Sequence, residues 1–315
     1  MSPFRLSNAR LAMQARSDSA GSPAQEVSCF HGIPLLGPDR LFNDRYRVSV
    51  LVRGGMSMLH LATDISSGKK VIIKIPRVSN SLSALASEES IARESAALSR
   101  LSHPNIPALV EHGVAGGFRF VVLEYIRGAD LHTHLDKGEP IPWPMALHIS
   151  SQVCDALKAA HDGGIAHGDI KPENILISSE RSPAVFLLDF GLARSLNSTD
   201  DMRGDTDIVL GTLDYMAPEA LERGIITPLS DMYSLGVLMY EMLAGWNPFY
   251  GKDEWETIDR VLALDPSPPG AWLSLPSALD SVVMRAISKD PAKRFQSAAE
   301  LKAAILSVSS RDTWL

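Results

Sequence analysis

The stretch "HGDIKPEN" (residues 167–174) brings a carboxylate, an ammonium and an amide within six positions of one another. Asp169 is followed two residues later by Lys171, and Asn174 comes three residues after that, while Pro172 stiffens the chain between them. Together these residues supply a proton acceptor, a cation and an oxygen that can bind a metal. Gly168 stands directly before the acid, so the residue with the greatest backbone freedom precedes it.

Three further residues lie far from this stretch in the sequence. Lys74 lies near the end of an apolar strand, and Glu94 lies on the following helix, twenty residues later. Asp189 ends the apolar run "VFLLD", and Gly191 allows a sharp change of direction after it. Each residue alone has a simpler interpretation, since strand-end lysines and helical glutamates usually face solvent. All of these features in this order argue against coincidence.

Phosphoryl transfer explains the whole set physically. A bound triphosphate needs a cation on its α- and β-phosphates, Mg²⁺ ions held by a carboxylate and an amide oxygen, and an acceptor near the incoming hydroxyl. Lys74 is the candidate for the phosphates, Asp189 and Asn174 for the metal, and Asp169 for the hydroxyl. Glu94 would hold Lys74 in place by an ion pair.

The first part of the chain is predicted to be rich in strands. Strands are expected at 44–53, 58–63 and 71–75, a helix at about 84–101, and two more strands at 108–113 and 118–125. Apolar residues alternate along the first strand and are expected to face the core; they are Tyr46, Val48, Val50 and Val52. The remainder has helical periodicity, with helices predicted at 144–162, 229–244, 253–264, 277–288 and 297–308.

Composition narrows the class of protein. Of 315 residues, 45% are apolar and 21% are charged, which is ordinary for a soluble globular protein. The net charge of −7 argues against a nucleic-acid partner. No window approaches ~18 consecutive apolar residues, so no membrane span is expected. Residues 1–40 are rich in Ser, Ala, Gly and Pro and are predicted to be a disordered tail. We expect a cytoplasmic protein; the alternative is an effector secreted through this serine-containing tail.

The sequence resembles the eukaryotic-type (Hanks-type) serine/threonine protein kinase family, and most of all its bacterial members. The resemblance covers about residues 46–306 and includes "HPNI" (103–106), "VVLEY" (121–125), "GTLDYMAPE" (211–219), "SDMYSLGVLMYEMLAG" (230–245) and "DPAKRF" (290–295). It implies an α+β, bilobal, protein-kinase-like fold with a small antiparallel β-sheet lobe carrying one helix and a larger, mainly α-helical lobe. The kinase domain would occupy 41–309, with lobes at about 44–126 and 127–309 and a short tail at 310–315.

The resemblance implies roles for individual residues. Asp169 would be the catalytic base that orients the substrate hydroxyl, and Lys171 would neutralise the transferring phosphoryl group. Asn174 and Asp189 would hold Mg²⁺, or Mn²⁺ in its place, and ATP would be the phosphoryl donor. The residues implied to contact ATP are Leu51, Val52, Arg53, Gly54, Gly55, Met56, Ser57, Met58, Leu59, Ile72, Lys74, Glu94, Glu124, Ile126, Asp130 and Leu176.

The resemblance also bears on nucleotide and substrate recognition. Glu124 and Ile126 would offer backbone hydrogen bonds to adenine beyond the gatekeeper position Leu123, and Asp130 is the candidate for the ribose hydroxyls. The "KPEN" run after the base resembles that of serine/threonine kinases. The implied partners are therefore proteins with serine or threonine acceptors.

Other residues are implied to be structural. Glu219 and Arg294 would form a buried ion pair that braces the helical lobe, and Asp231 would anchor the backbone of the loop that carries Asp169.

Three histidines have no metal-site context and are predicted to lie on the surface as polar residues; they are His132, His134 and His161.

The chain departs from the family pattern at the phosphate-covering loop and above the adenine. Val52, Gly54 and Ser57 occupy the three positions where the family has glycines. Ile72 stands where a small alanine is usual, and overpacking of this kind typically costs ~1–3 kcal/mol. No catalytic group is lost, which favours a working kinase. The alternatives are a nucleotide-binding pseudokinase that acts as a scaffold or allosteric partner, and a kinase for small molecules.

Gly168 is a further departure. In many relatives an arginine precedes the acid and pairs with a phosphate on the activation loop. Glycine carries no charge, although the loop from 192 to 210 offers several hydroxyls for phosphorylation, namely Ser195, Ser198, Thr199 and Thr206. We therefore expect activity that does not require phosphorylation of this loop.

Overall fold

The structure is a computed structural model that describes residues 29–30, 33–34, 38–53, 57–77, 81–180, 184–196, 213–271 and 273–311. The described chain forms two compact units. The first runs to Ser99 and takes in Pro107–Arg127, and the second consists of Arg100–Ile106 and the chain from Gly128 onwards. A short hairpin of β1 (Cys29–Phe30) and β2 (Ile33–Pro34) precedes the main sheet of the first unit.

The first unit is built on a six-stranded antiparallel sheet. Its strands are β3 (Leu41–Phe42), β4 (Tyr46–Arg53), β5 (Ser57–Asp64), β6 (Lys70–Pro76), β7 (Leu109–Ala115) and β8 (Phe118–Glu124). The spatial order is β3-β4-β5-β6-β8-β7. One helix, α1 (Ser81–Leu98), packs on this sheet. It begins and ends three residues earlier than the periodicity predicted, and its early end reflects the turn that Ser99 and Arg100 form.

Side chains on one face of the sheet form a closed hydrophobic core. The buried members are Phe42, Tyr46, Val48, Ala62, Val71, Ile73, Ile75, Phe120 and Val122. The prediction that Val50 also faces this core is wrong, since 49% of Val50 is exposed. The register between β4 and β5 shifts between Val48 and Val50, so one extra residue reverses the alternation there.

The second unit is mainly helical. Its helices are α2 (Leu131–Leu135), α3 (Trp143–Asp162), α4 (Pro218–Arg223), α5 (Pro228–Ala244), α6 (Glu254–Ala263), α7 (Ser277–Ala286) and α8 (Ala298–Arg311). Helix α5 is buried nearly all round, as expected of a helix that is apolar on every side. A capping box of Thr227 and Ser230 begins it, and Gly245, with φ of +82°, ends it.

Short strands hold the loops of the second unit. A three-stranded antiparallel sheet has the order β12-β11-β9, with β9 (Gly128–Asp130), β11 (Ile175–Ser178) and β12 (Val185–Leu187). A separate pair joins β10 (Ile165–Ala166) to β13 (Arg194–Ser195). The stretch 167–174 therefore runs between β10 and β11 and is tied down at both ends. None of the helices in these described ranges is long and apolar enough to cross a bilayer.

Candidate active site

The loop between β10 and β11 gathers three of the predicted groups. The ammonium Nζ of Lys171 lies 2.7 Å from Oδ2 of Asp169. The amide nitrogen of Asn174 donates to the same oxygen and to the carbonyl oxygen of Asp169, at 2.8 Å in each case. The short helical turn Pro172–Asn174 folds the amide back onto the acid. The structure thus brings together the carboxylate, the cation and the amide that the sequence places within six residues.

Asp231, in the first turn of α5, anchors this loop by hydrogen bonds to its backbone. Its Oδ2 accepts the backbone N–H of His167 at 2.9 Å, and its Oδ1 accepts that of Gly168 at 2.8 Å. Only 1% of the Asp231 side chain is exposed, so these hydrogen bonds are shielded from water. The predicted anchoring role of Asp231 is confirmed.

His161 corrects one expectation and extends this anchor. Its Nε2 lies 2.8 Å from Oδ2 of Asp231, and 11% of its side chain is exposed. The prediction that His161 is a surface residue is therefore wrong. It lies in the last turn of α3, which packs on α5, and that packing turns the ring towards Asp231.

Sequence reasoning assigned no role to His167, which the structure places inside the site. Its Nδ1 accepts the backbone N–H of Asp169 at 3.2 Å, so Nε2 carries the hydrogen that the carbonyl oxygen of Leu188 accepts at 3.0 Å. The ring also packs edge-on against Phe190, with 4.7 Å between centroids. His167 therefore connects the loop of Asp169 to the segment of Asp189. The sequence signal that could have identified His167 is its position two residues before Asp169.

Asp189 follows β12 in a left-handed conformation, with φ of +60° and ψ of +81°. Its Oδ1 accepts the N–H of Gly191 at 3.1 Å. The N–H of Leu188 donates to the carbonyl oxygen of Asn174 at 2.8 Å, so both predicted metal ligands lie at the same end of the β11–β12 hairpin. Non-glycine residues in this region of backbone space are strained and concentrate at functional sites.

These residues fit a magnesium ion. Carboxylate and amide oxygens are hard ligands that Mg²⁺ prefers, and it takes only one or two of them beside phosphate oxygens and water. Since the amide nitrogen of Asn174 makes both hydrogen bonds to Asp169, its amide oxygen is directed elsewhere. The described ranges contain no group of three or more His, Cys, Asp or Glu side chains arranged for a metal, so a larger protein cage is not present there.

The structure answers why a glycine precedes the acid. Gly168 has a φ of +77°, which L-residues rarely adopt. A β-carbon at this position would lie 2.9 Å from Cγ2 of Ile226 and 3.2 Å from the carbonyl oxygen of Leu192. Both the backbone conformation and the space around it therefore exclude a side chain.

The first unit contains its own buried ion pair. Nζ of Lys74 on β6 lies 2.7 Å from Oε2 of Glu94 on α1, which confirms the predicted pairing. The side chains are 5% and 1% exposed. Two buried charges are tolerated because each is the other's partner.

Strand register sorts the predicted nucleotide-contacting residues of this unit by face. Ile72 pairs with Leu61 on one side and with Leu123 on the other, so the gatekeeper position lies directly beside it. Leu59 pairs with Lys74 and shares its face, because directly paired residues point the same way. Met58 lies on the opposite face and packs against the hydrophobic core, so its side chain is not available on the face of Lys74.

The remaining members of the predicted set are dispersed. Leu51, Val52 and Arg53 belong to β4, where the backbone of Val52 pairs with Leu59, while Gly54, Gly55 and Met56 lie outside the described residues. Ser57 is buried at the start of β5. Glu124 ends β8, and Ile126, two residues later, is half-buried.

In the second unit Leu176 pairs with Asp130. Oδ1 of Asp130 caps α2 by accepting the N–H and the hydroxyl of Thr133.

The predicted ion pair of the helical unit is also confirmed. Both terminal nitrogens of Arg294 lie 2.7 Å from the two carboxylate oxygens of Glu219, and the arginine is fully buried. Arg294 also donates to the carbonyl oxygens of Ser288, Leu229 and Lys289. This satisfies its guanidinium, which is the condition for burying one.

Comparison with known proteins adds an independent observation. Residues 47–304 match the family model described as the protein kinase domain. Serine/threonine-protein kinase PknB of Mycobacterium leprae (strain TN) is 36% identical over 278 residues, which cover 85% of this chain and 43% of that protein. Serine/threonine-protein kinase pkn3 of Myxococcus xanthus is 36% identical over 276 residues, which cover 84% of this chain and 50% of that protein. The chain spans about half the length of these relatives.

Proposed function

The chain belongs to the protein kinase family, and on that premise we propose that it transfers the γ-phosphoryl group of ATP to serine and threonine hydroxyls of proteins. The observation that carries the proposal is the Asp169 carboxylate in contact with the ammonium of Lys171 and the amide of Asn174. Transfer to a hydroxyl requires a proton acceptor and a cation in this relation. The relatives named above are serine/threonine-protein kinases, which supports the choice of acceptor.

Asp169 is the group that orients the substrate hydroxyl and takes up its proton. The two neighbouring donors limit the directions in which its carboxylate can turn, and positioning of this kind is a large part of such catalysis. Lys171 counters the negative charge on the transferring group. Because its ammonium already contacts Asp169, the cation and the base act on the same small region.

Lys74 and Glu94 serve the α- and β-phosphates. The ion pair holds the ammonium at a defined place on β6, so that it presents a fixed positive charge to a bound triphosphate. Asn174 and Asp189 would hold Mg²⁺, which when bound neutralises charge on the phosphates. Ile72, Leu59, Glu124, Ile126, Asp130 and Leu176 are the proposed contacts to the nucleoside.

The test is phosphorylation of a generic basic protein with labelled ATP and Mg²⁺. Wild type is expected to label serine and threonine, and Asp169→Asn to label nothing while still binding nucleotide, because an amide cannot take up the proton. Asp136→Asn, an exposed position on the same unit, is the matched control and should behave as wild type. Near-normal turnover by Asp169→Asn would show that the site is wrongly assigned. Nucleotide binding without any labelling by wild type would favour the scaffold alternative, which no observation in the described residues supports at present.

A further inference from the structure

We propose that Ile226 is a positioning residue for phosphoryl transfer, because its side chain holds Gly168 in the left-handed conformation and thereby sets the direction of Asp169. The inference rests on the proposed kinase function and concerns the same site. Ile226 precedes α5 by two residues and is remote in sequence from the loop that it contacts.

The two hydrogen bonds to Asp231 do not select the conformation of Gly168. Asp231 accepts the N–H groups of His167 and Gly168. Both hydrogen bonds lie on the N-terminal side of the N–Cα bond of Gly168, so a rotation about that bond leaves them intact. Glycine populates positive and negative φ about equally, so the residue itself does not choose between them. Beyond the N–Cα bond of Gly168, the N–H of Asp169 donates to Nδ1 of His167 at 3.2 Å, and a steric contact adds to this hydrogen bond in keeping φ at +77°.

The side chain of Ile226 supplies that contact. Consider a rotation of about 120° around the N–Cα bond of Gly168. Because the α-carbon is tetrahedral, this rotation would move the carbonyl carbon to the place that the β-carbon of an L-residue occupies now. The resulting φ of about −40° lies at the edge of the right-handed region. A carbon at that place would lie 2.9 Å from Cγ2 and 3.1 Å from Cδ1 of Ile226. Ile226 therefore blocks this alternative conformation of Gly168.

This block matters because Asp169 is the next residue. A change of φ at Gly168 redirects the chain that carries the carboxylate, and a displacement of about 1 Å at a reacting group can cost about 100-fold in rate. Ile226 and Asp231 belong to one segment, whose helix begins at the capping box of Thr227. The same short segment thus fixes the loop by two hydrogen bonds and by one steric contact.

The first experiment compares Ile226→Ala, Ile226→Val and the control Ile225→Ala. Ile225 is the same residue type one position earlier and is not among the nearest neighbours of Gly168. For Ile226→Ala we expect kcat to fall at least about tenfold, equal to ~1.4 kcal/mol of barrier, with the KM for ATP unchanged. Ile226→Val, which keeps a β-branched side chain, should recover most of the kcat, and Ile225→Ala should match wild type. A wild-type kcat in Ile226→Ala would overturn the proposal.

The second experiment is a double-mutant cycle with Gly168→Ala. The added methyl group meets Ile226, so Gly168→Ala alone should lose nearly all turnover, and Gly168→Ala/Ile226→Ala should be more active than Gly168→Ala because the clash is removed. Equal activities of these two variants would count against the contact.

Hydrogen exchange separates this inference from the proposed function, because it needs no activity. In Ile226→Ala the amide of Asp169, which donates to Nδ1 of His167, should exchange at least about tenfold faster than in wild type, while amides in the centre of α5 keep their rates. Unchanged exchange at Asp169 would overturn the inference even in an active kinase. Faster exchange in Ile226→Ala, together with a wild type that transfers no phosphate, would uphold the contact and overturn the function.

Discussion

The ammonium of Lys74 lies 2.7 Å from the carboxylate of Glu94, and the two side chains are 5% and 1% exposed. Removing one partner of a buried pair leaves a charge in a poorly solvating environment, which typically costs ~3–5 kcal/mol, whereas replacing both by apolar residues is often neutral. In this protein, therefore, stability and the proposed phosphate binding involve the same two side chains, and mutation can separate the two effects.

Lys74→Met should abolish turnover and lower the free energy of unfolding by ~3–5 kcal/mol. The double variant Lys74→Met/Glu94→Leu should regain most of the stability but none of the turnover, because the cation for the phosphates is still missing. Arg93→Met on the same helix is the matched control; it breaks the more exposed Arg93–Glu89 pair and should cost below about 1 kcal/mol. Urea unfolding and the labelled-ATP assay measure both quantities. Turnover in the double variant would show that Lys74 is dispensable.

Ile72→Ala should bind ATP more tightly than wild type. Ile72 pairs with Leu61 on one neighbouring strand and with Leu123 on the other, so three large side chains lie in a row across the sheet. The family resemblance implies a small residue at the position of Ile72, above the adenine. Titration calorimetry measures the affinity, and Ile72→Leu, which keeps the volume, is the control that should match wild type. An affinity of Ile72→Ala that is unchanged or weaker would mean that the neighbouring side chains have already adapted to Ile72.

The stability of the protein should fall in mild acid because of His60. This histidine on β5 is fully buried, and within the described part of the chain neither ring nitrogen has a hydrogen-bond partner. Burial lowers the pKa of His60 from 6.5 to about 4. Below pH ~6.5 the unfolded chain therefore binds a proton that the folded chain does not, and stability is lost down to about pH 4 at up to ~1.4 kcal/mol per pH unit.

The measurement is urea unfolding at pH 7 and pH 5 of wild type, His60→Leu and His112→Leu. His60→Leu should lose less stability than wild type between these values, since it has no proton to take up at this site. His112→Leu, at an exposed position on β7, is the control for the loss of a histidine outside the core. Parallel pH profiles for wild type and His60→Leu would contradict the assignment.

Phosphorylation of the activation loop should not be required for activity. Gly168 offers no charge for a phosphate, and its φ of +77° and the contact with Ile226 leave no room for an arginine. The test is the quadruple alanine variant of Ser195, Ser198, Thr199 and Thr206, assayed beside phosphatase-treated wild type. Turnover should stay within about tenfold of wild type. A larger loss would point to another cation that takes the place of arginine.

Much of the molecule was predictable because the relevant signals are local. Residue type, order and spacing were enough to identify the candidate site residues, which are Lys74, Glu94, Asp169, Asn174 and Asp189. Helical spacing placed α3, α5, α6, α7 and α8 to within a few residues, because an amphipathic or wholly buried helix repeats its pattern over several turns. The ion pair of Lys74 with Glu94 followed from the phosphoryl-transfer interpretation of these residues, and that of Glu219 with Arg294 followed from the family resemblance.

Tertiary structure alone decided the details that depend on residues distant in sequence. Periodicity along one strand does not reveal the register shift that turns Val50 outwards, because the extra residue is defined only against β5. The contact of His161 with Asp231 exists because α3 packs on α5, and the φ of Gly168 is enforced by Ile226 from another segment. Sequence by itself determined which chemical groups the protein has and in what order. Which of them meet was decided by packing, since a side chain's surroundings come from whatever part of the chain fills the adjacent space.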